Sequence, residues 1–398
     1  MLNRKLVLFS LLSLSTLFFI AANQYDRSED LPDRIPTAIN QSKTDLSEDK
    51  KANAIQLALL LDTSQSMDGL IEQAKSQLWN ILNTLSLFER NNEETELQIA
   101  LYEYGNPDRC KNKIFVSKLS DFTTDVDLIS EKLFSLSTEG GEEFCASAIK
   151  SSLESLEWTN GDQLRMIYIA GNESFAQGPD DFHSVGSQAK EKEVFVNTIF
   201  CGSERSGNTL FWDIGAHAAG GQFVSIDQSK ETKYVATPYD QKIADLNLSL
   251  NQTYIPYGQK GNEKITNLRR QDENADQYGK ANYSNRAKYK SSKKYKTDDW
   301  DLVEAYRKDK DILNKKDLLN ESEANLSIEE LERQIEAASS DRDAIKKQIN
   351  DLSKKQAAYI KEFQNKEEQK DQNSLEDQII EIIKLQANSR GYQMQSFN

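Results

Sequence analysis

The stretch AIQLALLLDTSQSMDGLIEQAKSQLW, Ala54 to Trp79, decides how the rest of the chain is read. Ile55 to Leu61 is a continuous apolar run, as expected for a strand covered on both faces. The run stops at Asp62, and Ser64 and Ser66 follow at alternate positions. From Leu70 to Phe88 the apolar residues Leu70, Ile71, Ala74, Leu78, Ile81, Leu82, Leu85 and Phe88 form a helical stripe. One carboxylate and two hydroxyls thus leave a single tight loop between a buried strand and an amphipathic helix. A hard cation such as Mg²⁺ takes oxygen ligands in near-octahedral order and keeps several waters. Few protein donors are needed, provided that several loops converge.

Working outward, strand-like and helix-like segments alternate. Leu97–Tyr104 and Ile114–Leu119 flank the turn-rich GNPDRCKN and predict a hairpin. Val126–Leu136 reads as a helix, as does Glu143–Leu156 after the loop STEGG. LRMIYIA (164–170) and VFVNTIF (194–200) are further buried strands. A helix over 209–219 and a strand over 222–226 close the domain. The alternation predicts an α/β fold: a doubly wound, mostly parallel six-stranded sheet with helices on both faces. Ligands of such sheets bind at the carboxyl ends of strands, beside the switch in strand order. Asp62, Ser64 and Ser66 occupy such an end.

With DTSQS after LALLL and before an amphipathic helix, residues 54–228 resemble a von Willebrand factor type A domain, a match over a little under half the chain. The resemblance implies Mg²⁺ or Mn²⁺ at the top of the sheet, serving partner binding rather than catalysis, with Asp62, Ser64 and Ser66 as ligands. Two loops depart from the family pattern. STEGGEEFCASAI places Glu142 where a threonine is usual, with Glu143 next. IYIAGNESF places Gly171 where an aspartate is usual, leaving Asn172 and Glu173 as the nearest donors. The expected metal set is Asp62, Ser64, Ser66 and Glu142, completed by Asn172 or Glu173. Glu142 would restore the charge lost with the aspartate.

The formal net charge is −15, which argues against nucleic acid as the main partner, because phosphate neutralisation needs a basic footprint. Residues 1–22 combine Arg4 and Lys5, the apolar Leu6–Ile20 and the small Ala21 and Ala22. This is the layout of an export signal or an N-terminal membrane anchor, and it predicts an exported, periplasmic or envelope protein. Residues 23–53 read as a polar tether. Three cysteines fit neither a zinc site nor a disulfide-dense scaffold. Cys145 and Cys201 both fall near the upper end of the sheet, where a bridge would clamp the loops.

Beyond residue 228 the composition turns polar. In QYGKANYSNRAKYKSSKKYK, tyrosines 278, 283, 289 and 295 alternate with basic residues. This reads either as a contact strip for an anionic partner or as a solvated helix or linker within 229–325. From Ile328 to Phe363 a heptad pattern runs through Leu331, Ile335, Ala338, Arg342, Ile345, Ile349, Leu352, Gln356 and Tyr359. It predicts a coiled-coil helix over 326–365, with Arg342 and Gln356 as polar interruptions. A terminal helix over 374–388 either folds back on it or pairs between chains, giving self-association.

The chain shows no nucleophile–base pair, P-loop or dinucleotide fingerprint. The expectation is a non-enzymatic adhesion or scaffold protein that binds a protein partner. A metal-free structural envelope component is the alternative. A metal-assisted hydrolase with Glu143 or Glu173 as base ranks below both.

Overall fold

The alternating apolar residues of β1 (Asn53–Asp62) point to both sides of a sheet, and both sides are covered. In the computed structural model, which describes residues 53–91, 93–110, 112–226, 235–315, 319–366 and 375–395, Ile55, Leu57 and Leu61 pack into one apolar layer. Ala58 and Leu60 pack into the other. Residues 1–22, read as a signal or anchor, lie outside the described residues. So does all of the 23–53 tether except Asn53.

β1 leads into α1 (Asp68–Leu85), the short β2 (Phe88–Arg90), β3 (Thr95–Tyr104), β4 (Val116–Thr123), α2 (Val126–Phe134) and α3 (Cys145–Ser155). β5 (Leu164–Gly171), α4 (Phe182–Glu191), β6 (Phe195–Cys201), α5 (Glu204–Thr209), α6 (Trp212–Ala218) and β7 (Phe223–Ile226) follow. The main sheet has six strands in the order β4-β3-β1-β5-β6-β7. β1 runs parallel to β3 and β5, β5 to β6 and β6 to β7, while β4 is an antiparallel edge on β3. This is the doubly wound, mostly parallel fold that the sequence predicts, with the hairpin in place. The chain goes from β1 outward to β3 on one side and later to β5 on the other. The strand order therefore reverses at β1, and the loop after Asp62 opens there. α4 went unrecognised in the sequence. FHSVGSQAKE carries few apolar residues, and its helix is started by Asp181, whose carboxylate accepts from Ser184 N.

The polar second half builds onto the same domain. α7 (Asp240–Asn251), α8 (Gly258–Gln277), α9 (Lys280–Ser291), α10 (Leu302–Lys308), α11 (Glu321–Ala324), the 39-residue α12 (Ile328–Lys366), α13 (Leu375–Ser389) and β8 (Tyr392–Met394) follow in order. Ile243, Leu250, Ile265, Leu268, Tyr289, Ile349 and Ile383 join the apolar layer of α1 and α2. β8 pairs antiparallel with β2, and the Tyr392 hydroxyl donates to the carbonyl of Ala54 at 2.7 Å. The chain's last strand thus fixes the start of its first.

Two readings of this half are corrected. Tyr283, Tyr289 and Tyr295 are buried, so 278–295 forms neither an anionic-partner strip nor a linker with surface tyrosines. Tyr289 packs against Trp79 and Tyr295, and Lys290 and Lys294 are buried with them. The heptad stripe of α12 is likewise occupied within the chain over its middle, from Leu331 to Gln356, whereas Ile328, Tyr359 and Phe363 at its ends are exposed. Leu331 and Ile335 pack on α10, Ile349 joins the main core, and the Gln356 amide donates to Asp240 at 2.6 Å. Arg342 is fully buried, bonded to Asp301 (2.5 Å), Glu304 (2.9 Å) and the Thr253 carbonyl (2.6 Å). It is the anchor of a buried ion pair rather than a coiled-coil interruption. α13 turns its stripe to α1 and β7, and its Gln386 exchanges two hydrogen bonds with Asn197 of β6.

A second buried network ties α2 to the added helices. Arg286 donates to Asp127 (2.7 Å) and Asp272 (2.5 Å), and lies over the Trp79 ring. Asp272 also accepts from Lys290 and Asn247, and Tyr295 donates to Asp127.

Candidate metal centre

Asp62 is the last residue of β1 and is wholly buried. Its Oδ1 accepts from the backbone N–H of Ser64 at 2.8 Å, which turns the chain sharply into the 3-10 turn Gln65–Met67. The same turn brings the two serine hydroxyls together, 3.1 Å apart. Ser66 then donates to Asn172 Oδ1 at 3.1 Å, joining the β1 loop to the loop after β5. The third loop docks on the first through Glu139 N–H to Thr63 carbonyl, 3.0 Å.

Two glycines make room for this convergence. At Gly105, φ is +81° and a Cβ would lie 2.8 Å from Asp62 Oδ1 and 3.1 Å from Glu143 Cγ. At Gly171, a Cβ would lie 2.5 Å from the Tyr104 hydroxyl, 3.0 Å from the Trp212 ring and 3.2 Å from Asp62 Oδ2. The residue that the resemblance leads one to expect as aspartate is glycine because Tyr104 and Trp212 fill that space. Tyr104 donates to the Ala170 carbonyl at 2.8 Å, and Trp212 Nε1 to the Glu173 carbonyl at 2.7 Å.

Of the residues chosen from sequence, Asp62, Ser64, Ser66 and Asn172 are brought together. Glu142 is exposed, whereas its neighbour Glu143 is buried at the site, close enough for Ser64 and Asp62 to feel its carboxylate. The carboxylate that joins the cluster is therefore one residue later than expected. Phe144 packs beneath Gly178 and beside Phe115, and α3 starts directly after it, which fixes Glu143 as the inward position. Glu173 is exposed, with its charge close enough to act on both Asp62 and Glu143.

The electrostatics are those of crowded negative charge. The Asp62 carboxyl is pushed up to about 7, chiefly by burial; hydrogen bonds from Ser64 oppose the rise, and the charges of Glu143 and Glu173 add to it. Burial also raises Glu143, with Glu173 adding to the rise and Ser64 opposing it. Asp62 Oδ2 is buried without a hydrogen-bond partner, a state that costs the full desolvation of the oxygen. An unpaired buried carboxylate oxygen, two hydroxyls, an amide oxygen and a second buried carboxylate fit a hard divalent cation. Among the described residues no group of three or more His, Cys, Asp or Glu is arranged to hold a metal. Such an ion would therefore depend on the serine and asparagine oxygens as much as on carboxylates.

The expected Cys145–Cys201 bridge is not formed. None of the three cysteines forms a disulfide, and all three are buried. Cys145 lies in the apolar layer with Tyr104 and Ile167, its sulfur 3.6 Å from the Tyr104 hydroxyl. Cys201 lies in the other layer, with Ile199 and Ile226. Proximity to the upper end of the sheet was legible in the sequence, but the face on which each thiol falls was not.

No family profile matches the sequence, and no curated protein matches it either. Solved structures similar to this chain include the SpRpn10 VWA domain, at 16% identity and TM-score 0.34 over 44% of this chain and 90% of that one. BatB from Bacteroides thetaiotaomicron is similar at 15% identity and TM-score 0.33, over 44% of this chain and 91% of that one. A third is proximal thread matrix protein 1 from the mussel byssus, with a zinc-occupied MIDAS motif. It is similar at 10% identity and TM-score 0.33, over 45% of this chain and 43% of that one.

Proposed function

We propose that residues 53–226 form a von Willebrand factor A-like module that binds a divalent cation and uses that end of the sheet to hold a protein partner. The observation that carries this reading is the buried, unpartnered Asp62 Oδ2 beside Ser64 and Glu143. Asp62, Ser64, Ser66, Glu143 and Asn172 would hold Mg²⁺ or Mn²⁺, with Glu173 at the rim. The ion would supply the positive charge that the crowded carboxylates lack. The chain's own residues order the three loops, keep water from Asp62 through Tyr104 and Trp212, and present the rim. The role is binding and scaffolding rather than catalysis, in an exported protein held at the envelope. The layout of residues 1–22 supports export. Among the described residues no helix is long and apolar enough to cross a membrane.

Calorimetric titration of the full chain with MgCl₂ and MnCl₂ tests the metal. Saturable binding that disappears in the Asp62→Ala, Glu143→Ala double variant is expected. Identical heats in wild type and double variant would remove the metal from the reading.

A further inference from the structure

Next to the loops around Asp62 lies an exposed apolar patch. Phe211 is 42% and Ile214 40% exposed, at the start of α6. Phe211 has φ +68°, a left-handed backbone that is strained for a residue with a Cβ. Its ring lies 6.2 Å from Phe182, which stacks on exposed His183. The patch is tied to the metal loops by two hydrogen bonds. Phe175 N–H donates to the Leu210 carbonyl at 2.9 Å, and Trp212, next to Phe211, donates to the Glu173 carbonyl. The neighbouring rim is acidic: Glu139, Glu142 and Glu173 are all exposed. The charges acting on Asp62 are those of Glu143 and Glu173, both negative. A divalent ion would cancel two of the three charges of Asp62, Glu143 and Glu173, and Glu139 and Glu142 would still leave the rim negative.

We infer that this end of the sheet docks a polypeptide segment that places a lysine or arginine on the Glu139–Glu142–Glu173 rim and an apolar side chain on Phe211 and Ile214. The inference rests on the metal-site reading for its charge count. Charge complementarity selects the basic residue, because an acidic segment would meet the rim carboxylates and a coordination sphere that already holds Glu143. The strained Phe211 supplies the apolar anchor, a role for which large aromatics are suited at interface centres.

Fluorescence anisotropy on the full chain with 1 mM MgCl₂ tests it, using two labelled hexapeptides. One has lysines flanking a phenylalanine–leucine pair, and the other has glutamates in place of the lysines. The lysine peptide is expected to bind saturably and to weaken with salt, and the glutamate peptide to bind at least tenfold more weakly. Phe211→Gly should raise the melting temperature by relieving the left-handed strain, yet weaken the lysine peptide by about tenfold. Glu139→Gln with Glu142→Gln should weaken it as well. Absence of saturable binding at millimolar peptide, equal binding of both peptides, or no effect of Phe211→Gly would each overturn the inference. Calorimetric metal binding in the same preparations keeps the two readings apart. Metal uptake without peptide discrimination removes the docking surface alone. Peptide discrimination without metal uptake removes the metal alone.

Discussion

Ser66 and Asn172, 106 positions apart in the chain, share a 3.1 Å hydrogen bond across the upper end of the sheet. The bond exists because β1 and β5 are neighbours in register, Leu61 opposite Ala170, so the loops leaving them meet. Asp62 Oδ2 sits beneath this junction, outside its hydrogen bonds.

The choice between Glu142 and Glu143 has a direct readout. Mn²⁺ at a hundred times its dissociation constant should stabilise the wild type by about 2.7 kcal/mol. Glu143→Gln should lose most of that gain, and Glu142→Gln should keep it. Thermal melts with Mn²⁺ and with chelator check this. The opposite ranking would restore Glu142 to the site.

Gly171 gives a second test. An aspartate there would not improve the site, because its Cβ meets the Tyr104 hydroxyl and the Trp212 ring. Gly171→Asp and Gly171→Ala should each destabilise the fold by about 1–3 kcal/mol, the usual cost of overpacking. Urea denaturation measures it, and an unchanged midpoint would show that the neighbours move aside freely.

Arg342 distinguishes a packed helix from a coiled-coil seam. At a seam, Arg342→Leu would strengthen pairing between helices. In the structure it strands Asp301, which is wholly buried, and Glu304. Loss of about 3–5 kcal/mol is expected, the usual cost of removing one partner of a buried pair. Chemical denaturation gives the value, and a gain in stability would contradict the packing described.

Acid sensitivity should arise at the α2–α9 network. Burial pushes the Asp272 carboxyl upward, but Lys290 and Arg286 outweigh it and hold it below its ordinary range. A carboxyl depressed in the folded state contributes stability that is present above its unfolded value of 3.8 and lost as pH falls through the folded one. Urea denaturation from pH 6 to pH 2.5 should show a steep loss below about pH 4. Asp272→Asn, already weaker at pH 6, should show a shallower one. Parallel profiles would assign the acid loss elsewhere.

Local pattern determined the strands, the hairpin and the site's first three oxygens, because period and turn chemistry are properties of short stretches. Ile55–Leu61 could only be a strand buried on both faces, and DTSQS had to follow at its carboxyl end. The long helix from Ile328 and its apolar stripe were legible in the same way. Only tertiary structure decided what that stripe meets, since an amphipathic face does not specify its partner. Here α10 and the main core take its middle, with Arg342 neutralised by Asp301 and Glu304, while Ile328, Tyr359 and Phe363 stay exposed. The same limit explains Glu143. Adjacent glutamates in a loop are equivalent until Phe144 packs and α3 begins, and that packing turns the second one toward Asp62.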